Sequence, residues 1–191
     1  ILTTPIKDED LADLNVGDHR SAYDHCMQIA SLSDLNRPYC LPRAGNAAVL
    51  AGDVDAVRTA LTQLDTLGTR GRAIDADRHA MRAGIAALEG DTGTAIAEYR
   101  AAMTAWRDLG LPWDEALTTL SAVTRLGRSA PGVDEWIESA RAIYRRFGAT
   151  PMVDLLEAAV AAAGPTTAPE PWVDPVPDAV ADPISDATAT S

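Results

Sequence analysis

The sequence predicts an all-α fold in which antiparallel helical hairpins stack side by side, with about eight helices. A Gly-Asp pair recurs along the chain, and small or apolar residues follow each pair at separations of three and four. No run of alternating β-branched residues indicates a strand. Alanine is frequent and phenylalanine occurs once, so we expect a core of small side chains between closely packed helices.

The Gly-Asp pairs predict where one helix ends and the next begins. Glycine readily adopts the left-handed conformation that ends a helix, and aspartate can accept a hydrogen bond from the free amides of the following helix. The pairs are Gly17-Asp18, Gly52-Asp53 and Gly90-Asp91.

The residues after each pair predict one buried face per helix. They are Ala22, Cys26 and Ile29, then Val57, Leu61 and Leu64, then Ala95, Tyr99 and Ala102. In the helix that follows Gly90-Asp91, the buried face continues through Ile96, Met103 and Trp106, and the helix is predicted to end at Gly110. The partner helices are predicted over 38–50 and 73–88.

The last helices are marked by proline and glycine. Pro112 is predicted to begin a helix that Gly127 ends, with Trp113, Leu117, Leu120 and Val123 on its buried face. A further helix runs from about Asp134 to Gly148, and its inward residues are predicted to be Ile137, Ala140, Ile143, Tyr144 and Phe147. Thr150 and Pro151 predict a cap and first turn of the helix that ends by Gly164.

Composition divides the chain into three segments. Residues 1–16 are interpreted as an N-terminal extension or a remnant of a preceding repeat, and 17–164 as the repeat domain. Residues 165–191 are rich in proline and acidic residues and contain no lysine or arginine, which predicts a disordered acidic tail. Trp172 in that tail is either a short docking motif or incidental, and we favour incidental.

Charge and hydropathy limit the partners. The formal charge of −12 disfavours nucleic acid and anionic membranes. The longest apolar run, at 155–163, is too short to span a bilayer and contains Glu157. The chain begins at Ile1 without methionine or a secretion signal, which suggests either a fragment of a larger protein or a trimmed chain, and we predict a cytoplasmic location. Cys26 and Cys40 are interpreted as buried thiols.

No group of residues predicts a metal site or a catalytic site. His19 and His25 lie six residues apart, whereas paired ligands on a helix usually lie three or four apart. Asp18 and Cys26 already have the roles of cap and core residue, and His79 is placed on a solvated polar face. The chain lacks a Gly-x-Ser-x-Gly turn and a glycine-rich phosphate loop. We therefore predict that this chain is not an enzyme and binds no cofactor.

The third repeat resembles the tetratricopeptide family. In that family the second helix of a pair begins at Gly-Asp and carries Ala, Tyr and Ala at the offsets of Ala95, Tyr99 and Ala102. The Gly52 unit has Val57 and Leu61 at the first two offsets, and its first helix has the family's small pair at Ala44-Gly45. Arg82 replaces an expected leucine, and extra loop follows Gly127. The resemblance covers 17–164 and implies an α-α superhelix.

This resemblance also implies a binding groove. In the family the first helix of each pair lines the concave face, which here places six residues in a partner-binding groove: Tyr39, Asn46, Asp77, Asp114, Ser121 and Thr124. The lining is mildly polar and acidic and lacks a lysine-rich clamp, so a basic or neutral helix suits it best. These residues could instead simply be solvated, since repeats also bind through edges and loops.

A narrower resemblance extends over 140–151, which is similar to the C-terminal helical repeats of actinobacterial signalling ATPases, cyclase-type proteins and LuxR-type regulators. It implies a non-catalytic regulatory module at the C-terminal end of a larger protein. The expected partner is a protein or peptide, including the upstream domains of the same polypeptide. The alternative is a small-ligand sensor that binds a metabolite inside the helical solenoid.

Overall fold

In the computed structural model of the protein, residues 18–128 and 130–163 are described, and every regular element within them is an α-helix. This confirms the predicted all-α class and the number of helices. The eight helices are α1 (His19–Leu32), α2 (Arg37–Ala51), α3 (Val54–Thr66), α4 (Arg72–Leu88), α5 (Thr92–Leu109), α6 (Pro112–Leu126), α7 (Val133–Arg146) and α8 (Thr150–Ala162).

The Gly-Asp turns have the predicted geometry. Gly52 and Gly90 take left-handed conformations with φ of 81° and 83°, which ordinary residues adopt only with strain. Oδ1 of Asp53 accepts the amide hydrogen of Ala56 at 3.0 Å. Asp18 and Asp91 cap α1 and α5 in the same way, through the amides of Ser21 and Thr94. Gly17 lies outside the described residues.

The helices pack as successive hairpins whose first members meet on one side. Each of the pairs α2–α3, α4–α5 and α6–α7 is in contact, and α1 packs on α2. Along the inner side, α2 contacts α4, α4 contacts α6, and α2 also contacts α6 directly. Helix α8 lies against α6 and α7. This arrangement curves the inner helices around a concave face.

Two glycines allow α2 and α4 to approach closely. Both residues of the small pair Ala44-Gly45 are buried. A Cβ on Gly45 would overlap the flexible side chain of Met81, and one on Gly84 would overlap Cγ2 of Val49. The helices could not keep this separation with larger residues at both glycines.

The core consists mainly of two clusters of buried side chains. The N-terminal cluster lies between α1 and α4 and includes Leu41, Val57, Leu64 and Met81. Cys26 and Cys40 were predicted to be buried thiols, yet they are only partly buried where they pack against this cluster, and they form no disulfide. The C-terminal cluster joins α5 to α8 and includes Tyr99, Met103, Leu120, Trp136 and Tyr144. Most of the large apolar residues predicted on the buried faces of the helices therefore meet in these two clusters.

Two local predictions were wrong at the end of α7. Phe147 was predicted to face inward, yet it is 52% exposed because α7 ends at Arg146 and Phe147 lies in the turn that follows. Thr150 was predicted to cap α8, but Ala149 occupies the cap position and Thr150 is already helical. The amide of Ala149 donates to the carbonyl of Tyr144 at 3.0 Å, so the turn closes one residue earlier than expected.

Within the described part of the chain, no helix is both long and apolar enough to cross a bilayer. The predicted N-terminal extension over 1–16, the predicted tail over 165–191 and Trp172 lie outside the described residues.

Candidate binding cavity on the concave face

A cavity of about 490 Å³ opens on the concave face, between α2, α4 and α6. Trp106 of α5 reaches it from behind, and residues at the beginning of α8 complete one wall. Its volume lies within the usual range for sites that hold small molecules. The first helices of three consecutive hairpins therefore converge on one half-open space.

The structure brings five of the six predicted groove residues together around this cavity. They are Tyr39, Asn46, Asp77, Asp114 and Ser121. The sixth, Thr124, does not line the cavity: it is exposed on α6, and its hydroxyl donates to the carbonyl of Leu120 at 2.7 Å. The positions inferred from the tetratricopeptide resemblance therefore lie at the cavity in α2 and α4, but in α6 they extend beyond it to Thr124.

Two direct hydrogen bonds join α2 to α6 at one end of the concave face. Oγ of Ser121 donates to Oδ1 of Asn46 at 2.5 Å. Farther along, Nη2 of Arg125 donates to the carbonyl of Leu50 at 2.7 Å, near the C-terminal end of α2. Because the inner helices are bridged here, an extended peptide cannot run along the whole concave face as it could in a more open superhelix.

The cavity contains two carboxylates and one guanidinium. Burial raises the pKa of Asp77 to about 8, and the nearby charge of Asp114 adds to that rise, while Arg43 and Arg78 oppose it. Burial also raises the pKa of Asp114, again against the charge of Arg43. Nη1 of Arg43 donates to the carbonyl of Tyr39 at 2.8 Å, which anchors the guanidinium to its own helix.

The remaining walls are largely apolar and include two tryptophans. Trp106 is buried, and its Nε1 donates to Oγ1 of Thr118 at 3.1 Å. Trp113 packs edge-on against Tyr144 and Phe147, with ring centroids 5.5 and 5.8 Å apart. These contacts hold both indoles in place. Ile74, Met81 and Leu117 complete the apolar lining.

Sequence reasoning missed Trp113 and Arg43 as cavity residues. The helical period assigned Trp113 to a buried face, and it is partly buried against the C-terminal cluster, but a period does not distinguish a core face from the wall of a cavity. No sequence signal set Arg43 apart from other exposed arginines. Only the convergence of α2, α4 and α6 gives these two side chains a common surface.

The mouth of the cavity has exposed apolar side chains. Tyr39 is 66% exposed and Leu111 is 37% exposed, although both line the cavity. Phe147, on the outer edge of Trp113, is also exposed. Large apolar groups around a concave opening are typical of surfaces that another polypeptide covers.

The other polar groups of the described residues form no comparable site. Nδ1 of His79 lies 2.6 Å from Oε2 of Glu98, beside a second and more open concavity between α4 and α5. His79 is therefore paired and not merely solvated. In the ranges 18–128 and 130–163, no three His, Cys, Asp or Glu side chains are grouped so that they could hold a metal ion.

Comparison of the chain with protein-family models, with curated proteins and with solved structures finds no match. The resemblance to the tetratricopeptide family therefore rests on the Gly-Asp turns and on the spacing of Ala95, Tyr99 and Ala102. What this chain binds has to be inferred from the chemistry of its own cavity.

Proposed function

We propose that this chain is a non-catalytic protein-interaction module that binds a segment of a partner protein at the concave cavity. The main support is the combination of a half-open cavity with exposed apolar side chains, Tyr39 and Leu111, at its mouth. An anchoring side chain enters the cavity in this proposal, while the flanking residues of the partner cover the rim. The module acts as the C-terminal regulatory repeat region of a larger signalling ATPase or cyclase-type protein.

The hydroxyl groups of the cavity suit binding better than nucleophilic catalysis. Nucleophilic catalysis needs a hydroxyl or thiol activated by a neighbouring base. The hydroxyl of Ser121 donates to the amide oxygen of Asn46, and that of Thr118 donates to the carbonyl of Asp114 at 2.8 Å. Neither acceptor is a general base, so these hydroxyls are held as structural donors.

Selection of peptides from a random library on the immobilised full chain tests this function. We expect enriched peptides whose affinity falls about tenfold in the variant Tyr39→Ala, because the exposed phenol would lose its contact with the bound segment. Leu32→Ala is the matched control, since Leu32 is 76% exposed and does not line the cavity. The affinities can be measured by isothermal titration with synthetic peptides.

If the enriched peptides bound the Tyr39→Ala variant as tightly as the original chain, peptide binding would have to occur elsewhere on the surface. The same conclusion would follow if Leu32→Ala weakened binding as much as Tyr39→Ala. Absence of enrichment over an unrelated helical protein would contradict the interaction function as a whole.

A second candidate, a small-ligand sensor, is favoured by the two bonds that join α2 to α6 and shorten the groove. A metabolite that binds only the folded chain should raise the melting temperature progressively with its concentration. Ala73→Phe, which adds a ring at the cavity wall, should abolish that rise, whereas Ala97→Phe on the exposed side of α5 should not. A broad metabolite panel that leaves the melting temperature unchanged would eliminate this candidate.

A further inference from the structure

We propose that the group bound in the cavity is one basic side chain of the protein partner, best an arginine, held by Asp77 and Asp114 with its stem against the tryptophan walls. This inference rests on the proposed function, because it names the anchor of the same bound segment.

The charges of the cavity leave room for one additional cation. With both carboxylates ionised, Asp77 and Asp114 outnumber the single guanidinium of Arg43. Among the described residues, neither carboxylate accepts a hydrogen bond from another side chain, although Asp114 accepts one from its own backbone, and Arg43 acts on both only through its charge. Partly buried carboxylates in this state are poorly compensated, and an entering guanidinium would supply up to five donors.

The lining matches the rest of an arginine side chain. Trp106, Trp113 and Leu117 present apolar surface to the cavity, and the three methylene groups of an arginine would cover such surface. A planar guanidinium can also lie over an indole ring with a favourable cation–π interaction. The bridge between Asn46 and Ser121 joins two walls of this cavity.

Other ligand classes fit less well. An anion would face two carboxyl groups balanced only by Arg43, and a neutral group would add no charge to compensate the second carboxylate once Asp77 ionises. A divalent metal ion would be held by only two carboxylates, and no group of three or more His, Cys, Asp or Glu side chains that could hold one occurs in the described part of the chain. A monovalent organic cation with an apolar stem is the remaining match.

Binding of such a cation should be linked to release of a proton. In the empty cavity Asp77 holds its proton up to about pH 8, with Asp114 and Arg43 facing it from α6 and α2 and Arg78 on its own helix. A bound guanidinium favours the ionised carboxylate and therefore lowers its pKa. The affinity for a basic peptide should rise as the pH increases from 6 to 8.5, since arginine itself stays charged throughout.

The test uses a peptide enriched on the full chain, synthesised with arginine and with citrulline, its neutral isostere, at the shared basic position. At pH 8.5 we expect the arginine peptide to bind about tenfold more tightly, and less so at pH 6. In the double variant Asp77→Asn/Asp114→Asn the two peptides should bind within about threefold of each other. Asp55→Asn/Asp108→Asn removes the same charge from exposed positions and should keep the full preference.

Each other result has a distinct meaning. Enriched peptides that share no basic residue, or that bind equally well with citrulline, would overturn the arginine anchor and leave the interaction function intact. Loss of the arginine preference in the Asp55→Asn/Asp108→Asn control would show that only overall charge matters, which also overturns it. If agmatine, a small molecule that carries a guanidinium group and an amine, bound as tightly as the peptide, the proposal of a protein partner would be wrong. Failure to enrich any peptide contradicts the proposed function itself.

Discussion

Gly84→Ala is expected to lower the free energy of unfolding by about 2 to 3 kcal/mol, although alanine is the better helix former. The added Cβ would overlap Cγ2 of Val49 and lie 3.1 Å from its Cγ1. Valine in a helix has one strongly preferred rotamer, so its side chain cannot turn away at low cost. Helices α2 and α4 would therefore have to separate. Urea unfolding, followed by circular dichroism, measures the resulting decrease in the free energy of unfolding.

Two variants control for the change of residue type. Gly93→Ala on the exposed first turn of α5 meets only Oδ1 of Asp91 at 3.7 Å, so it should cause no loss. Adding Val49→Ala to Gly84→Ala should recover much of the stability, because the second substitution removes the atoms that overlap. If Gly84→Ala were neutral, or if Val49→Ala added its full separate cost, the close approach of α2 and α4 would be wrong.

Asp77→Asn is expected to raise the free energy of unfolding by about 3 kcal/mol at pH 8.5, a figure reduced from the full pKa shift for partial solvent screening. In the folded chain the carboxyl of Asp77 keeps its proton up to about pH 8, whereas the ordinary pKa of an aspartate side chain is 3.8. Between these values the unfolded state binds fewer protons, so the stability of the native chain falls as the pH rises. An amide of the same shape has no such dependence.

Thermal unfolding at several pH values checks this prediction. The stabilising effect of Asp77→Asn should be small near pH 4 and reach its maximum above pH 8, where it corresponds to roughly 10 °C in melting temperature. Asp108→Asn is the control, since Asp108 is exposed and should give a small effect that does not vary over this range. An equal gain at pH 4 and pH 8.5 would contradict a buried, proton-holding Asp77.

If the arginine anchor is correct, Asp77→Asn should weaken peptide binding while it stabilises the fold. The variant that removes the uncompensated charge of Asp77 also removes one of the two groups proposed to hold the partner. A binding site that costs stability when empty is a common compromise in functional proteins. Stability and peptide affinity should therefore change in opposite directions at this position.

The helices and their ends could be predicted from the chain because the signals are local. Asp53 and Asp91 cap the helices that follow them, and Gly52 and Gly90 end the preceding ones through backbone conformations that a dipeptide specifies. The apolar period likewise placed Tyr99, Met103 and Trp106 on one buried face. The misplaced Phe147 and Thr150 lie in a turn without the Gly-Asp pair, where the exact end of α7 depends on packing.

The cavity required the tertiary structure, because its parts come from separate helices that no local pattern relates. Local sequence signals were sufficient for the all-helical class, the turns and the helix faces, while the family resemblance indicated five of the cavity's polar residues. The direct contact of α2 with α6 determines that Asn46 and Ser121 bridge the concave face. The same curvature brings Arg43, Asp77 and Trp113 to one space, where burial changes the proton affinity of a carboxylate that looks ordinary in the sequence.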